Sequence, residues 1–121
     1  METTLTERLA RVERRSTCRL THYGRRTGRA YEVTIWFLVH GETVYLVTAN
    51  MRRQWPRNVQ ANPTVQLRVG GDNFSGTITP ITDPGEIARV VALLRKKYWL
   101  ARLYLLVKGR PDGAFRVALN P

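Results

Sequence analysis

The feature that most constrains this chain is a succession of short β-rich segments at hairpin spacing. Thr17–Tyr23 alternates Cys18, Leu20 and His22 against Thr17, Arg19 and Thr21. Tyr31–Val39 is β-branched and aromatic, almost wholly apolar after Thr34, and reads as a central strand. Thr43–Ala49, Thr64–Val69, Phe74–Ile81 and Ala114–Leu119 follow in the same style. The turns between them carry glycine: Gly24–Gly28, His40-Gly41 and Gly70-Gly71-Asp72-Asn73. Six short antiparallel strands need to close on themselves or be covered. The expectation is therefore a small, mainly β barrel with helices over its ends, an α+β fold.

The helices have readable starts. Thr4-x-x-Glu7 is a capping box, and Leu5, Leu9 and Val12 lie on one stripe, predicting a basic amphipathic helix over about residues 5–15. Asn50–Asn62 lacks a two-residue period and predicts a loop and a short helix ending before Pro63. Asp83 and Pro84 suit the cap and first position of a long helix carrying Ile87, Val90, Val91, Leu94 and Tyr98. After Tyr98 that helix becomes apolar nearly all round. With 121 residues and no repeat, the chain is expected to form a single domain, 1–121.

Charge narrows the partners. The formal net charge is +11, on a chain that is 43% hydrophobic, too apolar for a disordered basic tail. Glu13–Glu32 encloses six bases and no acid, Glu42–Asp72 encloses four, and Arg95-Lys96-Lys97 forms a third cluster. Such an excess is usually kept for a negatively charged partner. Nucleic acid, an anionic membrane surface and a small polyanion all qualify. No apolar stretch approaches a membrane span, and no secretory leader is expected. The single cysteine, Cys18, excludes an internal disulfide and a cysteine-based zinc site, and a reducing cytoplasm is the default compartment.

Familiar catalytic constellations do not appear. His22 and His40 lie far apart, and His22 most simply fills a strand position. There is no nucleophile elbow, phosphate-binding loop or zinc-protease motif, and no metal site is expected. If the chain is an enzyme, a bound cofactor carries the chemistry.

Three stretches then stand out in order: Leu20–Gly28, Val44–Asn50, and Trp55-x-x-Asn58-x-x-Ala61-Asn62-Pro63. Together they resemble the deazaflavin (F420)-dependent nitroreductase family, over about residues 15–120. The resemblance implies a six-stranded antiparallel split β-barrel, FMN-binding-like, related to pyridoxamine-phosphate-oxidase-like flavoproteins. It implies coenzyme F420, with FMN as the alternative. It also implies hydride transfer to a nitroaromatic, a quinone or another hydrophobic electron acceptor. By correspondence, Arg25 and Arg26 would meet the anionic part of the cofactor, Asn50 would sit near its ring, and Trp55 and Asn58 would hold the phosphate region. The loop Asn50–Gln54 is shorter than the family's and lacks both its glycines, leaving Arg52 or Arg53 to stand in for its lysine. Tyr98, Trp99 and Tyr104 would line the substrate pocket, with Tyr98 and Tyr104 the catalytic candidates.

Two other readings stay open. A non-catalytic flavin or deazaflavin carrier or sensor would use the same barrel. Nucleic-acid binding ranks lowest, since no recognition motif is present. A homodimer and a peripheral contact with an anionic membrane are both compatible with the sequence.

Overall fold

The structure, a computed structural model, describes residues 3–108 and 110–121, the side chains of Tyr104 and Lys108 excepted. The elements run α1 (Leu5–Val12), β1 (Cys18–Tyr23), β2 (Ala30–Ile35), β3 (Leu38–His40), β4 (Thr43–Thr48), α2 (Gln54–Ala61), β5 (Thr64–Val69), β6 (Asp72–Pro80), α3 (Pro84–Lys97), α4 (Trp99–Lys108) and β7 (Gly113–Leu119). All strand pairs are antiparallel, in the order β2-β1-β5-β6-β7-β4-β3. The result is a mixed α+β fold built on one curled sheet.

The sheet has seven strands where the sequence predicts six, because the apolar run Tyr31–Val39 bends. Ile35 pairs with Cys18 of β1, while Leu38, three residues on, pairs with Tyr45 of β4. Those partners stand toward opposite ends of the strand order, so Trp36 and Phe37 carry the chain from one end to the other and curl the sheet. The predicted central strand is thus two end strands, and β2 is largely exposed. The strand buried from both sides is β4. Its Val44 and Leu46 enter one core, and Tyr45 enters another.

A bend takes backbone groups out of the ladder, and each needs a replacement partner. Phe37 N–H donates to the Tyr98 hydroxyl at 3.2 Å. Lys97 Nζ donates to the Phe37 carbonyl at 2.9 Å. The Tyr98 hydroxyl proton is shared between the carbonyls of Ser16, at 2.8 Å, and Phe37, at 3.0 Å. Trp36 lies flat on Tyr98, ring centroids 4.2 Å apart and planes within 5°.

The first core fills the curl with Leu20, Leu46, Val65, Phe115 and Val117. It is closed by Leu9 and Val12 of α1 and by Trp55 and Val59 of α2. The second core lies between the outer side of β3, β4 and β7 and the pair α3–α4, with Leu38, Val90, Leu94, Ala101 and Leu105. At Gly76 in β6 the neighbouring backbone comes so close that a Cβ would strike the Ala118 carbonyl, so only glycine fits.

The predicted caps form. Thr4 Oγ1 accepts from Glu7 N–H at 3.2 Å, and α1 ends with its apolar stripe at Val12, short of the predicted residue 15. Asp83 accepts from Glu86 N–H at 2.8 Å, with Pro84 opening α3. The single long helix expected after Pro84 is two helices. Tyr98 leaves helical geometry at φ −118°, ψ 107°, and α4 starts at the next residue. The break is where Tyr98 turns inward to serve the backbone at Phe37.

Candidate functional site

β1 ends at Tyr23 and passes into the turn Gly24–Gly28. Gly24 N–H bonds the Arg29 carbonyl at 2.8 Å, and Gly28 N–H bonds the Gly24 carbonyl at 2.9 Å. Gly28 sits at φ 74°, a conformation that favours glycine. α2 packs beside this turn and pins it. Asn58, only 2% exposed, accepts through Oδ1 from Arg25 N–H at 3.2 Å and from Arg25 Nη1 at 2.7 Å. Gln54 Oε1 accepts from the same guanidinium at 2.9 Å, and Asn62 Nδ2 donates to the Gly24 carbonyl at 3.1 Å. The Trp-x-x-Asn-x-x-Ala-Asn-Pro pattern therefore has a local physical reason. α2 delivers Asn58 from its buried face, and Asn62, its C-cap, follows one turn later to reach the same turn.

With its carbonyl oxygen occupied by two donors, Asn58 has its amide nitrogen free to donate to His22 Nδ1, at 3.1 Å. That assigns His22 as neutral with its proton on Nε2. Burial pushes the His22 pKa below its ordinary value of 6.5, in agreement with that state. The ring stacks against Tyr31, centroids 5.8 Å apart.

Turn, helix and strand ends line an open cavity of about 730 Å³. Trp55, Tyr31 and Val33 supply apolar wall, and Trp55 is anchored beneath by Phe115 at 5.3 Å between centroids. Arg25, Arg26, Arg53 and Arg57 line it together with one carboxylate, Glu32. Glu32 is itself drawn toward Arg19, at 3.5 Å, and Arg68, at 3.9 Å. No side chain caps the first turn of α2, where Gln54 and Trp55 carry amide donors and Pro56 has none. An apolar slot with a surplus of guanidinium suits a planar aromatic ring carrying phosphate or carboxylate. Among the described residues, no cluster of His, Cys, Asp and Glu could hold a metal ion.

Of the residues expected at the cofactor, Arg25, Arg26, Arg53, Trp55 and Asn58 come together here. Asn50 and Arg52 do not line the cavity. Asn50 Oδ1 instead accepts from Arg52 N–H at 2.8 Å, ordering the loop before α2. Tyr98 lies in the second core with its hydroxyl committed to backbone, and burial pushes its pKa up to about 12. Trp99 is largely exposed on α4. The side chain of Tyr104 lies outside the described residues. The sequence reading passed over His22 and Tyr31 as cavity residues. The available clue was the alternation Cys18, Leu20, His22, which makes His22 the third inward position, at the end of β1 beside the basic turn.

Comparison with known proteins agrees with this geometry. Residues 3–104 match the family model described as F420H2-dependent quinone reductase. No curated protein matches the chain. Among solved structures, the F420H2-dependent reductase FDR-A superposes with a TM-score of 0.73 at 20% identity, covering 85% of this chain and 94% of that one. A protein described as a domain-swapped dimer gives 0.72 at 21% identity, covering 85% and 80%. A Listeria innocua protein provisionally assigned as a pyridoxamine 5'-phosphate oxidase gives 0.72 at 16% identity, covering 97% and 94%. At these identities the likeness is one of fold. The family model spans most of the chain, and by it the protein belongs to the F420H2-dependent quinone reductase family, oxidoreductases with coenzyme F420 as cofactor.

Proposed function

We propose that the cavity between the Gly24–Gly28 turn and α2 is the cofactor site of an F420H2-dependent reductase acting on a quinone or a similarly flat, hydrophobic acceptor. The observation that carries this reading is the cavity wall itself, four arginines and one glutamate around an apolar slot, in a chain of this family. Bound there in its reduced form, the cofactor supplies a hydride. The protein's own part is binding and alignment, which suits a site without a nucleophile or a carboxylate pair. Arg25 and Arg26 on the turn, with Arg53 and Arg57 on the α2 side, hold the anionic portion. Asn58 fixes Arg25 through both its backbone and its guanidinium. His22 holds the Asn58 amide and backs Tyr31, so that Tyr31, Val33 and Trp55 keep water from the ring. The acceptor-side aromatic in this assignment is Tyr31, not Tyr98.

Titration of the purified protein with F420, FMN and FAD, followed by ring absorbance, tests the assignment. F420 is expected to bind about tenfold or more tighter than FMN, and menadione is expected to reoxidise bound F420H2. Absence of F420 binding at tens of micromolar would overturn the cofactor site. Tight binding without reoxidation by menadione or a nitroaromatic would leave a carrier rather than a reductase.

A further inference from the structure

The second half of the chain presents a surface that the cofactor site does not use. In α4, Ala101 and Leu105 point into the second core. With 3.6 residues per turn, the opposite arc carries Trp99, Leu103, Leu106 and Val107, with Leu100 beside them. These five side chains are 58–82% exposed. Among the described residues, the only other exposed large hydrophobic side chain is Tyr31, less exposed at 43% and in the cavity wall. A contiguous apolar patch of this kind marks an interaction surface.

Its surroundings carry one sign of charge. From Ile87 to Pro111 the sequence has seven Lys and Arg and no Asp or Glu. Arg95, Lys96 and Arg102 are exposed next to the apolar arc, and Arg102 Nε reaches the Arg95 carbonyl at 3.4 Å, joining the end of α3 to α4. We propose that this face of α4 docks on an anionic lipid bilayer. An in-plane helix with Leu and Trp on one side and Lys and Arg at its flanks is what such an interface accepts. No helix among the described residues is long and apolar enough to cross a membrane, so α4 lies in the interface and does not span it.

Charge also decides against the other occupants. A second copy meeting the first through this face would bring the same acid-free basic segment against itself. Nucleic acid would match the charge but not the leucines and valine, which cannot stack on bases. An anionic bilayer offers opposite charge and a place for aliphatic side chains together. The surface stands on these residues alone, whatever the acceptor. If the acceptor is a lipid-soluble quinone, the same contact brings the reductase to it.

Co-sedimentation of the full chain with phosphatidylcholine vesicles, with and without phosphatidylglycerol, tests the proposal. Binding is expected on the phosphatidylglycerol vesicles and is expected to weaken with salt. Tryptophan fluorescence should shift to the blue on binding. Trp99→Phe should remove most of that shift, since Trp55 is buried and Trp36 is stacked on Tyr98. A Leu103→Glu/Leu106→Glu variant should lose about tenfold or more in partitioning while keeping its melting temperature and its F420 affinity. Equal binding to neutral vesicles, or undiminished binding of the double variant, would overturn the proposal. So would sedimentation equilibrium showing a dimer that the double variant dissolves. F420 titration in parallel keeps the two readings apart, because neither Leu103 nor Leu106 touches the cavity.

Discussion

The cavity mouth and the α3–α4 surface are both basic, and they treat their polar groups in opposite ways. At the cavity, hydrogen bonds converge on a buried amide. Asn58 ties Arg25 and His22 together, and Gln54 and Asn62 fasten the rest of the turn. On the other side the polar side chains turn inward to repair the backbone. Lys97 and Tyr98 serve the bend at Phe37, and the apolar side of α4 is left facing out. A net charge of +11 does not distinguish these regions. What does is the buried amide of Asn58, which ties one cation, Arg25, into the cavity wall, against the open apolar side of α4, which lies beside the exposed Arg95, Lys96 and Arg102.

The largest effect should come from breaking the first network at its centre. Asn58→Leu removes the acceptor for two part-buried Arg25 donors and the donor to buried His22. The expected loss is about 2–4 kcal/mol of stability, together with a marked fall in F420 affinity. Urea unfolding and cofactor titration on the same preparation measure both. The matching change on the other side is Tyr98→Phe. It strips the partner from the buried Phe37 N–H but keeps the stack on Trp36, so about 1–3 kcal/mol should be lost. F420 affinity should then stay within about twofold of the starting value. A large drop in affinity with intact stability would return Tyr98 to the cofactor side and dissolve the contrast.

These two residues also show what the sequence could and could not reveal. The caps at Thr4 and Asp83, the glycine turns and most strands are local, so residue type and spacing announce them. Asn58 and Arg25 are visible for a similar reason. They belong to short motifs whose members keep their spacing, even though the motifs meet only in the fold. The bend at Trp36–Phe37 and the helix break at Tyr98 are not local. The bend is acceptable because the Tyr98 hydroxyl reaches Phe37 across 61 residues of chain, and the break, whose backbone stays bonded to Leu94 and Ala101, is what turns that hydroxyl inward. An apolar run reads as one strand until that distant hydroxyl is in place. Tyr98 likewise reads as a pocket aromatic until its partners are known. His22 fell between the cases, since its alternation placed it inward but gave no sign of Asn58.

A smaller effect separates a held cation from a free one within the cavity itself. Among the described residues, no hydrogen bond or ion pair fixes the Arg26 side chain, and it is exposed. Arg26→Gln should change stability by less than about 0.5 kcal/mol, as surface substitutions usually do. It should weaken F420 binding about fivefold, through the loss of one charge-assisted contact. Arg25→Gln should cost both stability and affinity, because its guanidinium is part of the Asn58 network. Equal profiles for the two would mean that the network does not set the position of Arg25.

The smallest effect uses pH to address the two regions separately, for each holds one base whose charged form burial disfavours. His22 has its pKa lowered from 6.5 in the fold. As pH falls through 6.5, the unfolded chain takes up a proton that the folded chain refuses, so stability declines. The decline ends once the folded imidazole is protonated too. Its slope cannot exceed about 1.4 kcal/mol per pH unit for one proton. Lys97 has its pKa lowered by burial from 10.5 to about 8. Between those values the unfolded chain again holds the extra proton, so stability rises with pH from about 8. Tyr98, pushed up to about 12 by burial, opposes that rise above its ordinary value of 10, where the unfolded phenol ionises first. Cys18, also pushed up to about 12 by burial, opposes it already above its ordinary value of 9.0, so the clean alkaline window is pH 8 to 9. Melting temperature measured across pH should flatten below 6.5 in His22→Gln and between 8 and 9 in Lys97→Met, each variant leaving the other window unchanged. Loss of both slopes in one variant would show that the cavity mouth and the α3–α4 side are coupled.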